Sequence, residues 1–231
     1  MRDRDTIVDL PSFQVGDIAC IEVGAGPLVL ALHGWGGRPA QMVPPARALA
    51  DAGYRVVIPE LPGHAGDRAT DIKQAAAAVR EIVAKLGMPE IVLAHSFAAM
   101  VMRLAFEDEA PPTMVLFAPV LDVNDALSRF GDQLRLFPWA RRGLRRRLEA
   151  WDPVMWPKVS GILPGQFPHT EIIVFHDPED TETPFGRSAE LTALRPGTDL
   201  RVVEGVGHTR ILSDRSVLDA LVRSTRTVTS P

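Results

Sequence analysis

The pentapeptide Ala94-His95-Ser96-Phe97-Ala98 lies between an apolar run, Ile91-Val92-Leu93, and a helical pattern over 98–106. A serine on the tight turn between a buried strand and its helix offers its hydroxyl at the sheet edge. The helix N-terminus beside it favours developing negative charge. That is the setting of a nucleophile for acyl transfer, usually written Gly-x-Ser-x-Gly because glycine lets the backbone fold so sharply. Here alanine, the next residue in size, holds both glycine positions. Taken alone, the segment also describes a plain turn whose serine caps the helix. A second segment, His33-Gly34-Trp35-Gly36-Gly37, follows the apolar run 28–32. Glycines at such a point let backbone amides come close to a substrate oxyanion, with Trp35 N–H and Phe97 N–H as the two donors. Gly34 would give the loop its close approach and His33 would orient it; a purely structural glycine turn is the alternative.

These residues need strands and helices to hold them. The runs 28–32, 54–58, 90–94, 113–117, 171–175 and 200–203 are continuously apolar or nearly so, which predicts strands buried on both faces. Helical patterns separate most of them. Ile72, Ala76, Val79, Val83 and Leu86 repeat at helical spacing before Gly87, and Ile211, Leu218, Leu221 and Val222 mark a last helix. The alternation predicts an α/β fold: a mostly parallel central sheet with helices on both faces. Two early runs, 6–10 and 18–23, predict a hairpin adding antiparallel strands at one edge. From about 120 to 168 no strand is expected, and prolines, tryptophans and arginines accumulate. An insertion there predicts a small helical cap over the carboxyl ends of the strands, within a single domain spanning 1–231.

His33-Gly34-Trp35-Gly36-Gly37, Pro59-Glu60-Leu61-Pro62-Gly63-His64-Ala65 and the Ser96 turn resemble the α/β-hydrolase superfamily in order and spacing. The middle motif is similar to that family's Asp-Leu-Pro-Gly-His-Gly loop, with Glu60 and Ala65 as departures. The resemblance implies an acid and then a histidine, each just after a late strand. The segment from His176 to Pro184 is similar to the family's His-Gly-x-x-Asp-x-x-x-Pro loop, which places the acid at Asp180. Asp177, Glu179 and Glu182 crowd the same loop, and Asp122 stands where some relatives carry the acid. Gly205-Val206-Gly207-His208 is the family's usual setting for the histidine.

The roles implied are Ser96 as nucleophile, His208 as general base and then acid, and Asp180 as the group that orients it. The resemblance implies a serine esterase working through an acyl-enzyme, with neither metal nor organic cofactor. A thioester or a carbon–carbon bond beside a carbonyl suits the same triad, and a non-catalytic ligand-binding protein on this fold is the reading from another class. A serine nucleophile argues against the dehalogenase and epoxide-hydrolase relatives, which use aspartate.

In the cap, Ala140, Leu144, Leu148 and Trp151 share a helical face, and Arg141, Arg142, Arg145, Arg146 and Arg147 fill the rest. The apolar stripe would line the acyl pocket, with Phe130, Phe137, Trp156 and Phe167 as its underside. The arginines would attract an acidic substrate or a carrier's phosphate, or form only a solvated face. His64, His95 and His169 have no partners at metal-ligand spacing.

A formal charge of −4 over 231 residues gives no overall field toward nucleic acid or an anionic membrane. The one cysteine, Cys20, excludes an intrachain disulfide and a zinc-thiolate cluster. The charged start Met1-Arg2-Asp3-Arg4-Asp5 leads into no apolar core of a secretory signal, and runs such as 27–32 and 114–120 are too short to cross a bilayer. A cytoplasmic protein acting on a small ester or thioester is expected.

Overall fold

The computed structural model of the protein describes residues 10–63 and 70–228. Within these, eight strands form one sheet: β1 (Ser12–Val15), β2 (Ile18–Gly24), β3 (Leu28–Leu32), β4 (Arg55–Pro59), β5 (Ile91–His95), β6 (Thr113–Phe117), β7 (Glu171–His176) and β8 (Asp199–Val202). Their order is β1-β2-β4-β3-β5-β6-β7-β8. The pairs β1/β2 and β2/β4 are antiparallel, and every other neighbouring pair is parallel. The six expected parallel strands are present, none displaced by more than one residue at either end. Every residue of β5 and β6 is buried, which is why their sequences run apolar without alternation.

The hairpin differs from expectation. Its first strand is Ser12–Val15 rather than 6–10, and residues 6–9 lie outside the described segment. Register is set by the two-residue turn Gly16-Asp17, with Gly16 at φ +54° and Val15 opposite Ile18. A turn of that kind closes a hairpin at once, so the strand must end next to it.

The helices are α1 (Val43–Asp51), α2 (Ile72–Leu86), α3 (Ala98–Ala105), α4 (Val123–Gln133), α5 (Pro138–Trp151), α6 (Trp156–Val159), α7 (Phe185–Leu194), α8 (Gly207–Arg210) and α9 (Arg215–Val228). Leu49 of α1 and Val217 and Leu221 of α9 pack on one face of the sheet. Val79 and Ile82 of α2, Val101 of α3 and Leu191 of α7 pack on the other. Asp71 starts α2 with a reciprocal box: its carboxylate accepts from Gln74 N (2.9 Å), and its own N–H donates to Gln74 Oε1 (3.3 Å). Between β6 and β7 the described chain holds α4, α5 and α6 and no strand, as the composition of 120–168 predicted.

The chain leaves β3 toward β4 on one side and returns to β5 on the other. Crevices outside the carboxyl ends of strands form at such a reversal. The two segments singled out first, after β3 and after β5, flank it.

Candidate active site

Ser96 sits between β5 and α3 at φ +55°, in the left-handed region that non-glycine residues rarely occupy. Backbone contacts hold it there: its N–H donates to Phe117 O (3.0 Å), and its carbonyl accepts from Ala99 N (3.1 Å) and Val120 N (3.0 Å). Ala94 and Ala98 are fully buried, so side chains this small are what the packing admits. The elbow therefore forms with alanines where glycines are usual.

Ser96 Oγ lies 3.0 Å from His208 Nε2, and His208 Nδ1 lies 2.8 Å from Asp180 Oδ2. The three side chains come from the ends of β5, β7 and β8, up to 112 residues apart in sequence. Asp180 is buried and richly bonded. Its Oδ1 accepts from Glu182 N (2.6 Å) and Thr183 N (3.1 Å), and its Oδ2 accepts from the Thr183 hydroxyl (2.8 Å). His176 Nε2 stands 3.5 Å from the same Oδ2. Burial pushes the Asp180 carboxyl up, but the hydrogen bonds from His176 and His208 and the charge of His208 outweigh it. The carboxyl is held well below the ordinary range.

The other acids fall elsewhere. Asp122 caps α4 through Asn124 N (2.9 Å) and pairs with Arg187 (3.2 Å). Asp177 accepts from Glu179 N (2.9 Å) and Gly207 N (2.6 Å), joining the acid loop to the histidine loop. Burial raises its carboxyl and the surrounding amides, Gly207 first, lower it further. Glu182, which lines the cavity, stands 4.0 Å from His208 Nε2 and pairs with Arg129 of α4 (3.4 Å).

His33 is fully buried; its Nε2 accepts from Leu61 N (3.1 Å), leaving the proton on Nδ1, which faces Gly34 O (3.0 Å). It thus ties the loop after β3 to the loop after β4. A Cβ on Gly34 would stand 3.1 Å from Ser96 Cβ and 3.1 Å from His95 Nδ1, so the loop and the elbow approach as closely as glycine allows. Trp35 and Phe97 meet edge to face, ring centroids 5.2 Å apart. Among the described residues the Phe97 N–H has no hydrogen-bond partner.

Sequence reasoning passed over two residues. His95, expected only as the elbow's variable position, donates from Nε2 to the backbone carbonyl of His208 (3.0 Å), and the two rings lie 4.8 Å apart. Burial, then the charge of His208, lowers the His95 pKa to about 4, so the ring is neutral at pH 7. Thr183 sits among Asp180, His176 and His208 with its hydroxyl 3.3 Å from Ala118 O. A partner on a distant backbone carbonyl leaves no sequence signature.

Ser96, His208, Gly34, Trp35 and Phe97 share one cavity of about 650 Å³. Val123, Leu127 and Phe130 of α4 and Leu144 and Leu148 of α5 form its outer wall. Three of the expected pocket aromatics are elsewhere. Phe137 points to solvent, and Trp156 and Phe167 are buried in the body of the fold. Trp151, the last residue of α5, is also exposed rather than facing the pocket. Among the described residues no cluster of His, Cys, Asp and Glu is arranged to hold a metal ion.

A family model described as "Alpha/beta hydrolase family" matches residues 28–220. No curated protein matches the sequence. Among solved structures, the α/β hydrolase MGS-MChE2, from the metagenome of sediments of the Mar Chica lagoon in Morocco, is 20% identical with a TM-score of 0.67; the match covers 94% of this chain and 98% of that one. An esterase from Exiguobacterium antarcticum is 18% identical with a TM-score of 0.66, over 92% and 96% of the two chains. A bromoperoxidase from Bacillus anthracis is 15% identical with a TM-score of 0.68, over 94% and 100%. Neighbours so distant in sequence share the fold alone, but the family model spans the elbow, the acid loop and the histidine loop together. The chain belongs to the alpha/beta hydrolase family.

Proposed function

We propose that the protein is a serine esterase that cleaves carboxylic esters of small or medium acyl groups through an acyl-enzyme. The observation that carries the reading is the relay from Ser96 Oγ through His208 to Asp180, at 3.0 and 2.8 Å, on the floor of the shared cavity. In this reading His208 Nε2 takes the Ser96 proton as Oγ attacks the ester carbonyl carbon. The oxyanion is held by the Phe97 and Trp35 amides, each worth about 3 kcal/mol in comparable sites. His208 then returns the proton to the departing alcohol. Water, deprotonated by His208, attacks the acyl-Ser96 ester and releases the acid and free Ser96. Asp180 holds the tautomer that leaves Nε2 free to accept.

We read the chain as one hydrolase domain in which α4, α5 and α6 form an inserted cap. With Cys20 as the one cysteine, we place the protein in a reducing, cytoplasmic setting. No helix among the described residues is long and apolar enough to cross a membrane. The test is a fluorophosphonate probe together with p-nitrophenyl esters and acyl thioesters of graded length. Ser96 is expected to label, and Ser96→Ala to lose at least about 10⁴-fold in turnover. A folded protein whose Ser96 does not label would sink the reading. Faster cleavage of thioesters than of matched esters would reassign the leaving group.

A further inference from the structure

The outer side of the cap is built unlike the rest of the surface. Residues 129–151 hold seven arginines and two carboxylates, a net +5 within a chain of net −4. Arg129 and Arg141 are committed, to Glu182 and to Asp132 respectively. Among the described residues, the side chains of Arg135, Arg142, Arg145, Arg146 and Arg147 have neither hydrogen-bond nor ion-pair partner. No residue of α5 is fully buried.

The turn between α4 and α5 presents apolar side chains amid these charges. Leu134 is 55% exposed, and Phe137 and Trp139 are each 69% exposed, stacked on one another with near-parallel rings. Their presentation is held by the backbone. Leu136 N–H bonds Gly131 O (2.8 Å) and Arg135 N–H bonds Asp132 O (3.0 Å), closing α4 with Arg135 at φ +51°. Arg141 lies across Gly131 and donates from Nε to Leu136 O (2.8 Å), locking the turn to α5. A rigid scaffold thus holds two aromatics and a leucine out in water, which the hydrophobic effect opposes unless something covers them.

Helical spacing sets Trp139, Arg142 and Arg146 on one outward face, with Arg145 and Arg147 at its flanks. Aromatic rings at the apolar–polar boundary beside unpaired guanidiniums match an anionic lipid surface: rings enter the headgroup region and arginines meet phosphates. An acidic protein would satisfy the charges, but side chains this protruding fit a fluid apolar layer better than a fixed complementary groove. The opposite faces of the same two helices carry Phe130, Leu144 and Leu148 into the cavity above Ser96.

We propose that the cap tip, Leu134 to Arg147, docks on an anionic phospholipid surface through the faces of α4 and α5 opposite the cavity wall, bringing the cavity beside that surface, so that the esters reaching Ser96 are lipid-borne. The substrate part of this rests on the esterase reading; the docking part does not. The test uses full-length Ser96→Ala protein and extruded vesicles of phosphatidylcholine with or without 30% phosphatidylglycerol, read by co-sedimentation and by tryptophan quenching with brominated lipid.

Binding to the anionic vesicles is expected at 0.1 M NaCl, at least tenfold stronger than to phosphatidylcholine alone and weakened by 0.5 M NaCl. R142Q/R146Q should weaken it about 30-fold, and F137S/W139S at least tenfold. In the wild-type background both double variants should keep full turnover of a soluble p-nitrophenyl ester, since none of the four residues lines the cavity. That soluble assay reports on the esterase reading, and vesicle binding by Ser96→Ala reports on docking, so the two fail separately. Folded protein that ignores anionic vesicles, or binding that both double variants leave intact, overturns the proposal. So would a phosphopantetheinylated acidic carrier protein, or a second copy of this chain, covering the tip in place of lipid.

Discussion

Ser96 holds a conformation that costs a residue with a Cβ on the order of 1–2 kcal/mol. The cost has a measurable signature. Ser96→Ala and Ser96→Gly both remove the hydroxyl, but only glycine relieves the strain at φ +55°. Against its own loss of unfolded-state restriction, Ser96→Gly should be about 0.5–1 kcal/mol more stable than Ser96→Ala in urea unfolding, with both inactive. His95 yields a second prediction, from pH. Its pKa is about 4 in the folded protein against 6.5 for an ordinary histidine, so the unfolded chain binds the extra proton between those limits. The stability it contributes is complete above about pH 6.5 and is lost as pH falls toward 4. The loss amounts to about 3 kcal/mol. The depressed carboxyls of Asp177 and Asp180 act in a lower window, below the ordinary aspartate range, because their stabilisation is lost only as they protonate. His95→Gln, which can still donate to His208 O, should flatten the decline between pH 6.5 and 4 and leave the steeper loss below it. An unchanged slope in that variant would contradict the assignment. At the reacting centre, Asp180→Asn should cut kcat about 10⁴-fold with little change in KM, because the amide favours the wrong His208 tautomer.

Elements position these residues, and one buried side chain holds the inserted element in place. Arg103 on α3 donates from Nη1 to Leu121 O (2.9 Å) and Gly161 O (3.0 Å), carbonyls on either side of the segment holding α4, α5 and α6, and from Nε to Gln166 Oε1 (3.1 Å). Gln166 Nε2 returns a bond to Arg103 O (2.9 Å). Burial lowers the guanidinium to about 10, still charged at neutral pH. Arg103→Met should leave two buried carbonyls unpaired and cost about 2–4 kcal/mol. Limited proteolysis is expected to cut first between 121 and 161, before the sheet yields. Neither this staple nor the Asp177 link between the last two loops is legible in the sequence, since both join backbone groups from distant segments. The parallel strands were legible because burial on both faces writes an unbroken apolar run, as in Ile91-Val92-Leu93. The hairpin differs from the apolar run at 6–10 because the Gly16-Asp17 turn, not that run, fixes where its first strand ends. Asp180 emerged through family resemblance; its own loop offers four carboxylates, and burial under Thr183 and His176 is what distinguishes it.

At the scale of the whole molecule, the cavity is a joint product of two parts with different sequence logic. Its floor is the sheet edge, fixed by the backbone geometry of the elbow and the glycine loop. Its wall is Val123, Leu127, Phe130, Leu144 and Leu148, presented by helices whose other faces meet solvent. On the proposed esterase reading, floor residues set the chemistry and wall residues set the length of acyl chain that can be buried. Each methylene buried against such a wall contributes about 0.8 kcal/mol, or roughly fourfold in kcat/KM, until the space is full. A graded p-nitrophenyl ester series should therefore climb and then level off. Leu148→Trp adds bulk to the wall without touching Ser96, His208 or Asp180. It should move the plateau to shorter chains while leaving acetate turnover within about twofold, because the shortest acyl group never reaches the wall. Uniform loss across the series would instead mean that the cap bears on the floor geometry, and that wall and floor are not separable.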